Sequence, residues 1–144
     1  MSLSLDAANR IASGTLAEAR RLRLAPLAVA VLDAGGNLVT FQREDGAGIL
    51  RFDIAFAKAW GSLGMGFDSR ELAARATGNP VFITVLAAVS GGRVAPSPGG
   101  VLIVDPSGAT IGAVGVSGDL GDQDEACAKA GIAGAGFKSG RSAD

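Results

Sequence analysis

The chain contains no histidine and no tyrosine, and it has a single cysteine, Cys127. Without histidine, the histidine-based catalytic triads, most zinc sites and the usual axial ligand of heme iron are excluded. One cysteine excludes an intrachain disulfide. An excess of one charge is lacking too: 13 basic residues face 14 acidic ones, a net charge of −1. The basic surplus of a nucleic-acid binder is therefore missing. The first residues, Met1 to Asp6, hold no basic segment followed by an apolar one, so no secretory signal is read there and a cytoplasmic location is expected. The longest uncharged run, Ala76 to Gly92, contains Gly78, Asn79 and Pro80 and ends in Ser90-Gly91-Gly92, which argues against a membrane span.

What is present fits one globular domain, residues 1–144, with 48% hydrophobic and 19% charged residues. A chain of this length buries ~68% of the surface it exposes when unfolded, enough for a core without covalent staples.

Leu5, Ala8, Ala12, Leu16 and Ala19 recur on one face, with Arg10, Glu18 and Arg21 opposite. This spacing predicts an amphipathic helix over 5–23, with Ser4 as its N-cap and Pro26 beyond its end. The apolar run 27–32 predicts a strand. Asp33 to Asn37 predicts a turn, and 38–43 a second strand, closing a hairpin. A helix is expected over 50–63. Asp68 and Glu71 have the spacing of a capping box for a short helix ending by Gly78. Val81 to Leu86 has strand propensity, but Pro80 at a first helical position favours a helix. Residues 101–105 and 110–116 predict a second hairpin. Asp122 and Glu125 repeat the capping-box spacing ahead of a last helix reaching Phe137. That helix carries an apolar stripe of Ala126, Ala130, Ala133 and Phe137 beside a small-residue stripe of Cys127, Gly131 and Gly134. The polar tail 138–144 is expected to fray. Two hairpins require antiparallel pairing and the helices must cover the sheet, so the fold class is α+β.

Six segments resemble motifs of one family. They are Val29 to Leu38, Arg43-Glu44-Asp45-Gly46-Ala47, Ile54 to Ala59 with its Lys58-Ala59 pair, Pro98 to Val101, Ile111 to Gly118, and Gln123 to Ala128. In order and spacing they are similar to the GlcG/HbpS-like family, which includes the PduO C-terminal domain. The resemblance covers nearly the whole chain. It implies a profilin-like α/β/α fold, a central antiparallel sheet, homo-oligomers, and heme or corrinoid-related ligands. Heme-binding members draw on histidines for iron; here Cys127, Met65 and Lys58 are the remaining candidates.

The candidate site residues lie in these motifs. Arg43 has the planar fork that clamps a carboxylate, and Asp45 beside it can act as acid or base; the same two residues could equally form a salt bridge pinning the loop. Lys58, in an apolar helix segment, is a candidate base or Schiff-base amine if burial lowers its pKa, or else a snorkelling side chain. Asp53 is a weaker candidate that could pair with Arg51 or Lys58. Gly99 and Gly100 form a tight corner or let a ligand reach backbone. Ser117 and Gly118 precede a helix and could present N–H groups to an anion, in competition with the acidic helix start. Cys127 reads as a packing residue. The leading functional expectation is a pocket for a small anionic organic molecule, with no metal site. The alternatives are heme or another tetrapyrrole, an acid–base enzyme acting on a small carboxylate or carbonyl compound, and an accessory subunit without chemistry. No nucleic-acid or membrane partner is expected.

Overall fold

The computed structural model describes residues 1–141. The first helix, α1 (Leu5–Arg21), begins where expected: the Ser4 hydroxyl accepts from the Ala7 N–H at 3.1 Å. It is followed by β1 (Ala28–Asp33) and β2 (Leu38–Arg43). The connecting turn is held by the Asp33 carboxylate, which accepts from the N–H groups of Gly35 and Asn37 at 3.0 Å each. Of its two glycines only Gly36 uses positive φ (81°). Next come α2 (Leu50–Met65), α3 (Ser69–Gly78) and α4 (Pro80–Val89). The segment of mixed propensity is thus helical, started by Pro80 and by Asn79, whose side chain accepts from the Phe82 N–H. The second hairpin, β3 (Gly100–Val104) and β4 (Thr110–Ser117), precedes α5 (Gly121–Gly134) and a short β5 (Lys138–Ser139).

The five strands form one antiparallel sheet in the order β2-β1-β4-β3-β5. Alternation sorts the side chains into two layers. Val29, Val31, Val101, Ile103, Val114 and Val116 face α1 and α5, meeting Ile11, Cys127 and Ile132. Leu32, Leu102 and Ala113 face α2, meeting Phe56, Ala59, Trp60 and Leu63. The fold is therefore α+β, with helices on both faces of a central antiparallel sheet.

Glycine sets how closely the helices approach. Gly100 and Gly115 are partners across β3 and β4. A Cβ on Gly115 would lie 1.8 Å from the Ala55 carbonyl oxygen, and one on Gly100 would lie 2.1 Å from that of Lys58. The backbone of α2 thus rests directly on the sheet. On the other face, a Cβ on Gly131 would lie 2.2 Å from Thr15 Oγ1. Gly131 of the small-residue stripe therefore lets α5 pack closely on α1, while Gly134 lies exposed beyond the contact.

Three local expectations need correction. The buried side of α5 is Asp124, Glu125, Cys127, Ala128, Gly131 and Ile132, whereas Ala126 and Ala133 are exposed. With alanine or glycine around much of the helix, size alone could not pick the buried side. Neither capping box forms by side chain. Asp68 is at the N-cap of α3, but its carboxylate accepts from the backbone of Leu102 and Arg141 instead. The N-cap of α5 is Leu120, while Asp122 pairs with Arg70. The tail is anchored as far as Arg141: β5 pairs with β3, and Gly140 donates to the Leu102 carbonyl at 2.8 Å. The rest of the expected frayed tail, 142–144, lies outside the described residues.

Candidate functional site

Arg43, Ala28 and Ser117 are in register across β2, β1 and β4, which brings Arg43 and Ser117 to one end of the sheet on the α2 face. Arg43 donates to the Ala47 carbonyl at 2.8 Å, holding the loop that enters α2. Most of its five N–H donors remain available. Arg43 and Asp45 are exposed and form no ion pair with each other. With Arg20, Pro26 and Glu44 they line an open depression of about 430 Å³. Glu44 is already engaged: it pairs with Arg20 at 2.9 Å and accepts from the Leu27 N–H.

Ser117 is buried, and its hydroxyl accepts from Arg51 at 3.0 Å. Among the described residues neither Arg43 nor Arg51 has a carboxylate within ion-pair distance. Arg51 was read from sequence only as a partner for Asp53; its position one turn before Ala55, which rests on Gly115, is what aims it at β4. Asp53 is exposed in the first turn of α2 and pairs with neither Arg51 nor Lys58.

Lys58 belongs to a different environment. Its ammonium donates to the Val116 carbonyl at 2.8 Å and to Asp124 at 3.0 Å, and the two side chains are 4% and 1% exposed. Asp124 also accepts from the Asp119 N–H. Burial pushes the Lys58 pKa down, and Asp124 opposes that shift. Burial pushes the Asp124 pKa up, opposed by Lys58 and by the backbone bond. Lys58 lies on neither the 430 Å³ depression nor a second one of about 500 Å³ beside α4. Asp124 is the partner that the sequence did not reveal.

The glycines expected at the site have packing roles. A Cβ on Gly99 would lie 2.8 Å from the Lys58 ammonium, and one on Gly118 would lie 2.4 Å from the Pro26 carbonyl. The turn before α5 is occupied by its own acids: Asp119 accepts from Ala25 and Leu120, leaving little room for an anion.

Cys127 is fully buried, and burial, with nearby carboxylates, pushes its thiol up to about 11. It therefore stays protonated and unreactive at neutral pH. Native protein at pH 8 will resist alkylation by iodoacetamide, while urea-unfolded protein will be labelled fully. Mass spectrometry showing rapid native labelling would contradict this burial.

The fold is an antiparallel sheet between helices, with the Arg43 guanidinium bordering an open depression at the end of β2. The chain belongs to the family described as "Haem degrading protein HbpS-like", whose model matches residues 3–133. A 15.0 kDa protein encoded in the dhaT-dhaS intergenic region of Citrobacter freundii is 30% identical over 128 residues, covering 89% of this chain and 88% of that protein. A doubly substituted form of Streptomyces reticuli HbpS is 31% identical, with a TM-score of 0.78, covering 92% of this chain and 86% of that one. A heme complex of PduOC has a TM-score of 0.85 at 24% identity, covering 95% of this chain and 97% of that one, a likeness of fold.

The described residues do not fit axial ligation of heme iron within one chain. Cys127 and Lys58 are buried and committed to packing and to an ion pair, and Met65 is half-buried at the end of α2. None of the three lines either depression. No helix among the described residues is long and apolar enough to cross a membrane.

Proposed function

We propose that this is a cytoplasmic, homo-oligomeric protein that binds a small organic anion at the Arg43 end of the sheet. The observation that carries the reading is Arg43 itself: its guanidinium borders a 430 Å³ depression, and among the described residues its one acceptor is the Ala47 carbonyl. A planar fork with free donors suits a carboxylate. Arg51, held by Ser117 on the same face, adds a second positive charge. Asp45 on the rim supplies an acceptor or a general base. In this reading Lys58 fixes the structure beside the site and does not touch the ligand. The exposed apolar residues Ile49, Leu50, Val81 and Val89 support self-association.

The test is a thermal-shift screen of small organic acids on the wild type and on Arg43→Ala. At least one acid is expected to raise the wild-type midpoint by several degrees, with the shift lost in Arg43→Ala. No shift by any acid, or a shift that survives Arg43→Ala, would overturn the proposal.

Tetrapyrrole binding is the second reading, favoured by the description of the family. Without an axial ligand, binding would rest on apolar contact and on arginine–propionate pairs. Hemin affinity is then expected to be no better than micromolar, roughly −8 kcal/mol. A sharp stoichiometric Soret transition, abolished by Met65→Ala or Cys127→Ala, would show that heme is ligated after all.

A further inference from the structure

On α2, Arg51, Ala55, Lys58 and Ser62 recur at helical spacing along the side that meets the sheet, where Ala55 and Lys58 rest on Gly115 and Gly100. Lys58 on this stripe is answered by Asp124. Arg51 is half-buried, and its side-chain partner is the neutral Ser117 hydroxyl at 3.0 Å. It also stands in the first turn of the helix, where a cation meets the positive end of the backbone dipole. Neither flanking acid, Asp45 or Asp53, is within ion-pair distance of Arg43 or Arg51. Arg43 is close by. Its guanidinium donates to the Ala47 carbonyl, and the backbone N–H of Arg51 donates to the next carbonyl, Gly48, at 3.1 Å. The two arginines thus border adjoining residues of one loop, ~3.8 Å apart at Cα. The surface joining them is aromatic. Phe41 shares the face of Arg43 on β2, and its ring meets Phe52, the residue after Arg51, edge-on at 4.8 Å. Phe52 is 36% exposed.

We propose that the anion bound at this end of the sheet is a dicarboxylate with an apolar spacer, one carboxylate on Arg43, the other on Arg51, and the spacer against Phe41 and Phe52. The inference rests on the Arg43 reading above and names its ligand class. Two guanidinium groups without protein carboxylates call for two negative charges, and a monocarboxylate would leave one of them unanswered. Each fork can hold a carboxylate by two parallel bonds, and Arg51 keeps donors beyond the one given to Ser117. Methylenes suit the aromatic surface, because they leave water there, whereas a hydroxyl would lose its partners. The Ser117 bond fixes where the Arg51 guanidinium stands, so one spacer length fits best. Arg43 and Ser117 both lie opposite Ala28. They are therefore two strand spacings apart, on the order of 10 Å between Cα atoms, which sets the ligand at a few carbons. Inorganic phosphate fits less well: its charge is concentrated at one centre and it has nothing to lay on the rings.

The experiment is calorimetric titration at fixed ionic strength with the dicarboxylates from malonate to adipate, each beside the monocarboxylate of equal carbon number. Wild type, Arg43→Ala, Arg51→Gln and Ser117→Ala are compared, and far-UV circular dichroism checks that each variant is folded. In the wild type one dicarboxylate should bind about tenfold or more tighter than its monocarboxylate, with affinity falling for shorter and longer spacers. That preference should vanish in Arg51→Gln and weaken in Ser117→Ala, which frees the Arg51 side chain. A wild type that binds monocarboxylates through Arg43 and dicarboxylates no better would overturn this inference and leave the Arg43 reading standing. A preference unchanged in both Arg51→Gln and Ser117→Ala would remove Arg51 from the site and overturn it too. No binding of any acid would overturn both readings. Inorganic phosphate binding as tightly as the best dicarboxylate would show a point-charge site without a spacer contact. Hemin also carries two carboxylates on an apolar body: an Arg51-dependent Soret change with no dicarboxylate binding would give the two arginines to propionates and overturn the inference.

Discussion

Replacing Lys58 by methionine will destabilise the fold by ~3–5 kcal/mol, because it leaves the buried Asp124 carboxylate without its counter-charge. Replacing both partners, Lys58→Met with Asp124→Leu, will cost far less, because the desolvation of two charges disappears along with their attraction. The pKa directions agree: burial drives both groups toward their neutral forms. The single variant also carries a pH signature. Asp124 titrates above the ordinary carboxylate value in the folded state, and further above it without Lys58. The folded variant then binds more protons than the unfolded chain between about pH 3.9 and the raised value. Its stability is present in full below that window and is lost as pH rises through it. Urea denaturation at pH 4 and pH 7 measures this. A loss under ~1 kcal/mol at pH 7, or one that does not shrink in acid, would mean that the pair is solvated.

Gly115→Ala will cost at least ~3 kcal/mol, at the top of the range for overpacking. The new methyl would meet the Ala55 carbonyl at 1.8 Å, a backbone atom that no side-chain rotation can move. Relief requires lifting α2 from the sheet, which also disturbs the Lys58 carbonyl resting on Gly100. Gly134→Ala is the control: nothing lies within 4 Å of its added Cβ, and alanine favours the helix by up to ~1 kcal/mol. Equal thermal midpoints for Gly115→Ala and the wild type would show that the helix does not rest on the strand as described.

Elements whose signals are local were legible in the sequence. Ser4 caps α1, residues 33–37 turn the first hairpin, and Pro80 starts α4 although Val81 to Leu86 has strand propensity. What could not be read is the choice a carboxylate makes between a nearby N–H and a distant partner. Asp68 sits where a cap should be, yet bonds β3 and the tail. Asp124, 66 residues from Lys58, carries no signal beyond its place in the acidic start of a helix. The site was legible to the same extent. Arg43 and Ser117 reach one sheet end because hairpin register places both opposite Ala28. Lys58, on the same helix as Arg51, is drawn away by a residue that lies under the opposite face of the sheet. Gly99 and Gly100 read either as a corner or as a place where a ligand reaches backbone; the room they leave is filled by the lysine and its backbone.

The Lys58–Asp124 contact reaches from α2 on one face of the sheet to α5 on the other, past a point where glycine leaves the sheet thin. Either helical layer, peeling away alone, would strand a charge in an apolar surround. Partial opening of one layer is therefore about as costly as opening both. The pair couples the two layers, and amide hydrogens near Lys58 in α2 and Asp124 in α5 are expected to show similar protection from exchange. The low-stability end of the molecule is then left to α4, which has no such tether.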